Sequence, residues 1–499
     1  MPDQDDAAGL RYASSVGRWV IVATVLGSSV AQLDATIVGI ALPSIGREFK
    51  VGIADLQWVS TGYMLTVAGL LLLGGALGDR YGRRRVFTIG VIWFGIASLL
   101  CAVAPNALAL ILARGLQGIG GALLTPGSLA ILEASFVQDD RSRAIGAWSG
   151  LGGVAGAVGP FIGGYLIAAA SWRLIFLINV PLIAAVVLIS VRHVPESRDE
   201  EATGRLDLTG GLLATVGLMG LCYGLIEGPG LGFASPAVVA ALLIGVAAMV
   251  AFVVVETRVE QPLLPLGLFR SRQFTGANLV TLVVYAALGG ALFLLPIQLQ
   301  QVAHYTPLES GVALLPVTFI MLLLSARSGA LASRIGPRLQ MTAGPLVVAV
   351  GMALLIRIST SGNYLTEVLP AVLVFGLGLA IVVAPLTSTV LAAAPSHEAG
   401  VASAVNNNVA RAAGLLAVAI LPAAGGITGS SYLHPDQFAE GFRNAVLIAA
   451  LLCASGGVLA AATIRNPARR PQAAPVPVEE RHMSHCALDG PPLRCTISR

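Results

Sequence analysis

Asp34 and Arg114 are the residues best placed for chemistry, because each carries a charge inside a long apolar run. A carboxylate held in hydrocarbon costs about 2.5–3.5 kcal/mol on insertion scales, so an acid kept there is functional by default. Such an acid can take up and release a proton, or hold a cation. Asp34 lies roughly eight residues from one end of its run and Arg114 roughly seven from the matching end of its own. At 1.5 Å per residue both sit roughly 10–12 Å deep, level enough to pair if their helices are neighbours. Such a pair either titrates and couples proton movement to a change of shape, or is a static ion pair that only fixes packing. The remaining acids of the apolar regions, Glu133, Glu227, Glu256, Glu309 and Glu367, fall near the ends of their runs.

A second polar group stands at Asn406, Asn407 and Asn408, followed by Arg411. In an apolar run these asparagines either line a polar cavity or hydrogen-bond neighbouring helices. Trp58, Tyr63, Gln117, Asn278 and Tyr285 are further candidates for a substrate cavity, with a packing role as the alternative for each.

The elements that must carry these residues are membrane-spanning helices. Apolar residues make up 56% of the 499 and charged residues 11%, against roughly a quarter charged in a soluble chain. Fourteen apolar runs, from 18–42 to 441–464, each have the length that crosses a bilayer, and a bilayer forces each to be helical. The fold class is therefore an all-α membrane protein. Expected boundaries are a short segment 1–17, a six-helix bundle over 18–191, two further helices over 208–256, a second six-helix bundle over 275–464, and a disordered tail over 465–499 with six prolines.

Charge sets the orientation. If the N-terminus is cytoplasmic, 22 of the 30 basic residues fall in cytoplasmic segments and 4 on the opposite side, which by the positive-inside rule places both termini in the cytoplasm. The acidic start of the chain lacks a convincing cleavage site after its first apolar run, so that run reads as a retained helix. Lys50 is the single lysine and follows Phe49, so no P-loop is present and ATP is not an expected partner. Arginines scattered over short loops carry no nucleic-acid signal. Cys101, Cys222 and Cys453 lie in apolar runs, and the spacing of His482, His485, Cys486 and Cys495 fits no zinc pattern, so neither metal nor cofactor is expected.

An internal repeat is legible as well. Gly75-x-Leu77-x-Asp79-Arg80-x-Gly82-Arg83-Arg84 recurs 254 residues later as Gly329-x-Leu331-x-Ser333-Arg334-x-Gly336-x-Arg338, each copy in a turn on the same side of the membrane. Equal orientation implies parallel six-helix halves related by an axis along the membrane normal, with two helices inserted between them.

The first copy closely resembles the loop signature of the major facilitator superfamily. Leu33-Asp34-x-Thr36 with Pro43, Arg114-x-x-Gln117-Gly118, Gly159-Pro160-x-x-Gly163-Gly164 and Trp172-Arg173-x-x-Phe176 further resemble its drug:proton antiporter branch with fourteen spans, although Gly39 stands where asparagine is usual. That resemblance implies a multi-pass protein of the cytoplasmic membrane, not an enzyme. It implies export of small hydrophobic or amphipathic drugs in exchange for protons, with Asp34 and Arg114 coupling. Gly75, Asp79, Arg80, Gly82, Arg83, Arg84, Gly159 and Pro160 would form the conformational gate. A lipid, metabolite or nutrient transporter on the same fold is the alternative, and a membrane-embedded enzyme a remote one. With Asp34 as the one deep acid, the expected substrates are neutral or singly cationic, exchanged for one proton.

Overall fold

The structure is a computed structural model, described here over residues 9–199, 207–259, 262–395 and 398–466. The sequence expectations for the tail from residue 467 onward, its disorder and its His and Cys residues among them, lie outside the described residues.

Among the described residues, fourteen helices are long and apolar enough to cross a membrane: α1 Ser15–Phe49, α2 Ile53–Tyr81, α3 Arg83–Ala102, α4 Ala107–Ser135, α5 Gln138–Ala169, α6 Leu174–His193, α7 Leu208–Leu231, α8 Pro236–Glu256, α9 Arg272–Gln301, α10 Pro307–Ile335, α11 Arg338–Arg357, α12 Tyr364–Ala392, α13 Gly400–Ala424 and α14 Pro435–Thr463. No strand occurs among the described residues. Several helices outrun their apolar stretches. α1 continues to Phe49, where Lys50 stops it in the left-handed conformation at φ 54°, because a helix that leaves the hydrocarbon keeps its backbone hydrogen bonds and loses nothing by continuing until a cap intervenes.

The repeat read from sequence is present in three dimensions. In the first half α2 packs on α4, α3 on α4, α1 on α5 and α6, and α3 on α6; the same pairings recur eight helices later as α10 on α12, α11 on α12, α9 on α13 and α14, and α11 on α14. Gly82 and Gly336, 254 residues apart, both adopt positive φ (107° and 87°) at the step between α2 and α3 and between α10 and α11. A side chain at either position would be strained, so the glycines keep their repeat spacing. The inserted α7 and α8 pack on each other, and α7 also lies against α2 of one half and α13 of the other.

The two halves are joined at the end opposite the chain termini. There Gln57 Nε2 donates to the carbonyls of Val418 at 2.6 Å and Ala419 at 3.2 Å. Gln300 Nε2 donates to Ile40 O at 3.0 Å, the Tyr432 hydroxyl to Val51 O at 2.7 Å, and Ile53 N–H to Gly429 O at 2.9 Å. Helix α5 shows the same polarity along its length. Near this end a Cβ on Gly164 would fall 2.5 Å from Pro307 O and 2.7 Å from Leu308 Cα of α10, whereas on Gly146, Gly150, Gly152 and Gly153 it would meet nothing within 4 Å. The bundle is thus closed at the end away from the termini and parted toward the arginine-rich loops.

Candidate functional site

Five helices of the first half converge on Asp34. α1 supplies Asp34, α4 supplies Arg114 and Gln117, α3 supplies Ser98, α6 supplies Asn179, and α2 supplies Tyr63 and the carbonyl of Val59. Asp34 and Arg114 form an ion pair through Oδ2 and Nη1, and each is 1% exposed. Oδ1 of Asp34 accepts from Gln117 Nε2 at 2.8 Å and from Asn179 Nδ2 at 3.2 Å. Arg114 donates also to Gln117 Oε1 at 2.6 Å and, through Nε, to Val59 O at 3.2 Å. Ser98 Oγ accepts from both Gln117 at 2.9 Å and Asn179 at 3.3 Å. The Tyr63 ring lies beneath the guanidinium, 4.5 Å from its Cζ, with Phe176 on another side at 5.8 Å.

Both charges are therefore paired, hydrogen-bonded and flanked by aromatic faces, the condition under which a buried ion pair is tolerated. The acid is also shielded from solvent in this conformer. Asp34 stands fifteen residues before the end of α1 at Phe49 and Arg114 seven after the start of α4 at Ala107, and the two still pair because α1 runs on past α4.

The other candidates each had packing as the alternative to a cavity role. Gln117 and Tyr63 are buried parts of this network, because the charged pair recruits the nearest donors and π-face. Asn278 and Asn406 join α9 to α13, with Asn406 Nδ2 donating to Asn278 Oδ1 at 3.1 Å and to Thr281 Oγ1 at 2.8 Å; they are packing groups in this conformer. Asn407 is exposed and donates to Ser403 O at 3.0 Å. Tyr285 is half-buried against the core of the second half. Trp58 donates its indole N–H to Glu227 of α7 at 2.8 Å and has the Tyr223 ring 6.2 Å away, which ties the inserted hairpin to α2.

The glycine motif of α5 lies at the joint between the halves. Gly159 packs on Thr36 and Gly163 on Ile37 of α1, the latter with 2.8 Å between an added Cβ and Ile37 Cγ2, while Gly311 of α10 rests on the Pro160 carbonyl. In the last turn of α2, Asp79 pairs at 2.8 Å with the side chain of Arg83 at the start of α3. The start of α3 is capped instead by Glu196, whose carboxylate accepts from Arg84 N–H at 3.0 Å and Arg85 N–H at 3.2 Å and lies directly against Gly82. Arg84 donates to Val194 O at 3.1 Å, Arg83 N–H to Ser197 O at 2.8 Å, and Asp199 N–H to Asp79 O at 2.9 Å. A Cβ on Gly75 would lie 3.6 Å from Pro126 of α4, and Arg80 lies over the Tyr81 ring at 5.6 Å.

Ser98 and Glu196 are the members that sequence reasoning missed; Asn179 was legible only as part of the stretch that follows Trp172-Arg173-x-x-Phe176 and was not assigned to the site. A second acid cluster was also passed over: Glu256 and Asp207 are both buried. Asp207 Oδ1 caps α7 through Gly210 N–H at 2.7 Å, and Glu256 Oε2 accepts from Leu264 N–H at 2.9 Å. Their other oxygens, which find no donor, crowd the same side of Gly210.

Known proteins share this architecture. A peptide transporter of the POT type covers 92% of this chain and 99% of its own at TM-score 0.65 and 14% identity, and a bacterial homologue of the lysosomal transporter Spinster covers 91% and 100% at TM-score 0.65 and 16% identity; at such identities the likeness concerns the fold. In sequence, the puromycin resistance protein pur8 of Streptomyces alboniger is 39% identical over 407 residues, 81% of this chain and 80% of that protein. The tetracenomycin C resistance and export protein of Streptomyces glaucescens is 35% identical over 451 residues, 87% of this chain and 82% of that one. The model of the Major Facilitator Superfamily matches residues 24–418, and the chain, a multi-pass membrane protein, belongs to that family.

Proposed function

We propose that the chain exports hydrophobic or amphipathic drugs, antibiotics among them, across the cytoplasmic membrane in exchange for protons. The observation that carries this reading is the buried Asp34–Arg114 pair, held by residues of five helices beside the α1–α5 joint. An acid that must stay neutralised when buried is the natural place to admit a proton when the site opens. Relatives whose names record antibiotic resistance and export, at 35–39% identity over most of the chain, support the direction of transport and the substrate class.

The charge count along the loops assigns the closed end to the outside, so this conformer takes substrate from the cytoplasm. Opening to the outside requires the contacts of Gln57, Gln300 and Tyr432 to part and the α5–α10 joint to rock about Gly164 and Gly311. Water then reaches Asp34, a proton neutralises it, its hold on Arg114 weakens, and the rearranged helices return inward. No nucleotide is needed: one proton crossing ~100–150 mV releases about 2.3–3.5 kcal/mol, a gradient of roughly 50–370-fold for a neutral solute.

The test is drug tolerance of a susceptible bacterial host with and without the chain, followed by transport in proteoliposomes with an imposed pH gradient. Raised tolerance and gradient-dependent export are expected. Counterflow of a lipid, metabolite or nutrient without drug export would replace this reading with the alternative on the same fold.

A further inference from the structure

Arg411 has no part in the network around Asp34. It stands near the middle of α13, eleven residues after Gly400 and thirteen before Ala424, roughly 16–20 Å from either end of the helix. A guanidinium at that depth is costly and marks a site. Among the described residues no carboxylate lies within ion-pair distance of it, and it is half-buried. Its face of α13 is turned toward the other half: Leu415 and Ala419, one and two turns on, pack with Leu65 and Ala68 of α2 and with Leu218, Cys222 and Ile226 of α7. Tyr63 of α2 lies within electrostatic range of Asp34, Arg114 and Arg411 alike. One turn the other way, Asn407 is exposed, and Asn408 carries a buried Oδ1 with no partner.

With Asp34 ionised, Asp34, Arg114 and Arg411 together leave an excess of +1 that no described residue neutralises. We propose that Arg411, flanked by Asn407 and Asn408, is the point at which the transporter recognises an acidic oxygen group, such as a carboxylate, sulfonate or ionised enol, on an otherwise apolar substrate. The planar guanidinium fork matches such groups with two parallel hydrogen bonds, and the parted end of the bundle gives them access from the arginine-rich side. Counting acids alone, as in the sequence expectation of neutral or singly cationic substrates, leaves this cation out.

The assignment rests on the export reading but not on its proton coupling. A proton on Asp34 would raise the excess charge to +2 and tighten the hold on an anion, so such a substrate must leave outward before Asp34 is protonated. The membrane potential assists that exit: inside-negative voltage favours exit of a monoanion about tenfold for every ~60 mV.

Two fluorescent probes with one ring skeleton isolate the acidic group: 8-anilino-1-naphthalenesulfonate and the neutral N-phenyl-1-naphthylamine. Saturable binding to the full chain in nanodiscs is measured, with empty nanodiscs subtracted. The wild type is expected to hold the sulfonate about tenfold or more tighter than the neutral probe, the range of one charge-assisted contact. Arg411→Gln should abolish that preference while leaving the neutral probe unchanged, and Arg411→Lys should retain part of it. Asn408→Asp, which places a carboxylate three residues from the guanidinium, should also abolish it, and stands in if Arg411→Gln fails to fold. Equal affinities in the wild type, or a preference that survives both Arg411→Gln and Asn408→Asp, would overturn the assignment while the export reading stands on the neutral probe. Absence of saturable binding by either probe would remove both.

Discussion

The carboxylate of Glu196 caps α3 by accepting from the backbone of Arg84, a contact between the segment after α6 and the loop after α2. A carboxylate at a helix N-terminus is stabilised by the unpaired N–H groups and the helix dipole there, by about 0.5–2 kcal/mol. Glu196→Ala is therefore expected to loosen the loop, slow transport severalfold and leave substrate affinity unchanged. Transport rates and binding isotherms on the same preparation check it. A fall in affinity with an unaltered rate would mean the loop serves the binding site and not the conformational exchange.

Asp34→Asn should abolish proton-driven export. It also leaves Arg114 charged and buried without its counter-ion, a loss of about 3–5 kcal/mol where buried pairs are broken. The double variant Asp34→Asn with Arg114→Gln removes both charges and should recover much of that stability without recovering transport. Thermal unfolding in detergent beside proton flux in proteoliposomes separates the two effects. Full coupled transport by Asp34→Asn would end the assignment of Asp34 as the coupling acid.

The two loop copies should differ. Asp79 bridges to Arg83, whereas Ser333 turns back on its own helix, donating to Ala330 O at 2.7 Å. Asp79→Ala is expected to reduce turnover by about tenfold, the cost of one charge-assisted contact, and Ser333→Ala to leave it within twofold. Equal sensitivity would show that the asymmetry has no mechanical consequence.

Alanine substitutions along α5 should sort by position. At Gly164 an added methyl meets the backbone of α10, so Gly164→Ala should push the halves apart at the closed end; Gly150→Ala and Gly153→Ala meet open space and should be silent. Spin-label distances between α1 and α9 near their ends at Phe49 and Gln301 report the shift. An unchanged distance distribution for Gly164→Ala would remove α5 as the joint.

Glu256→Gln should stabilise the inserted hairpin, because the amide supplies a donor to the unpartnered Asp207 oxygen beside it. The gain expected for one satisfied buried contact is about 1 kcal/mol, read as a higher melting temperature. A lower one would mean that the two acids already share a proton well.

What was legible from sequence followed from local rules. The length of apolar runs declares a span because the bilayer leaves the backbone no other partner, and the Gly82 and Gly336 repeat declares two parallel halves because each turn needs the same positive φ. Asp34 and Arg114 announced themselves because charge in hydrocarbon is costly. The company they keep was decided only by the tertiary structure. Ser98 and Asn179 reach Asp34 and Gln117 from separate helices, and no periodicity along one helix records which face of another it will meet. The same holds for Glu196, an ordinary loop acid in sequence that becomes a helix cap in space. Arg411 was visible as a cation within an apolar run, but that no described carboxylate pairs with it is a statement about every neighbour at once, and only the packed structure contains it.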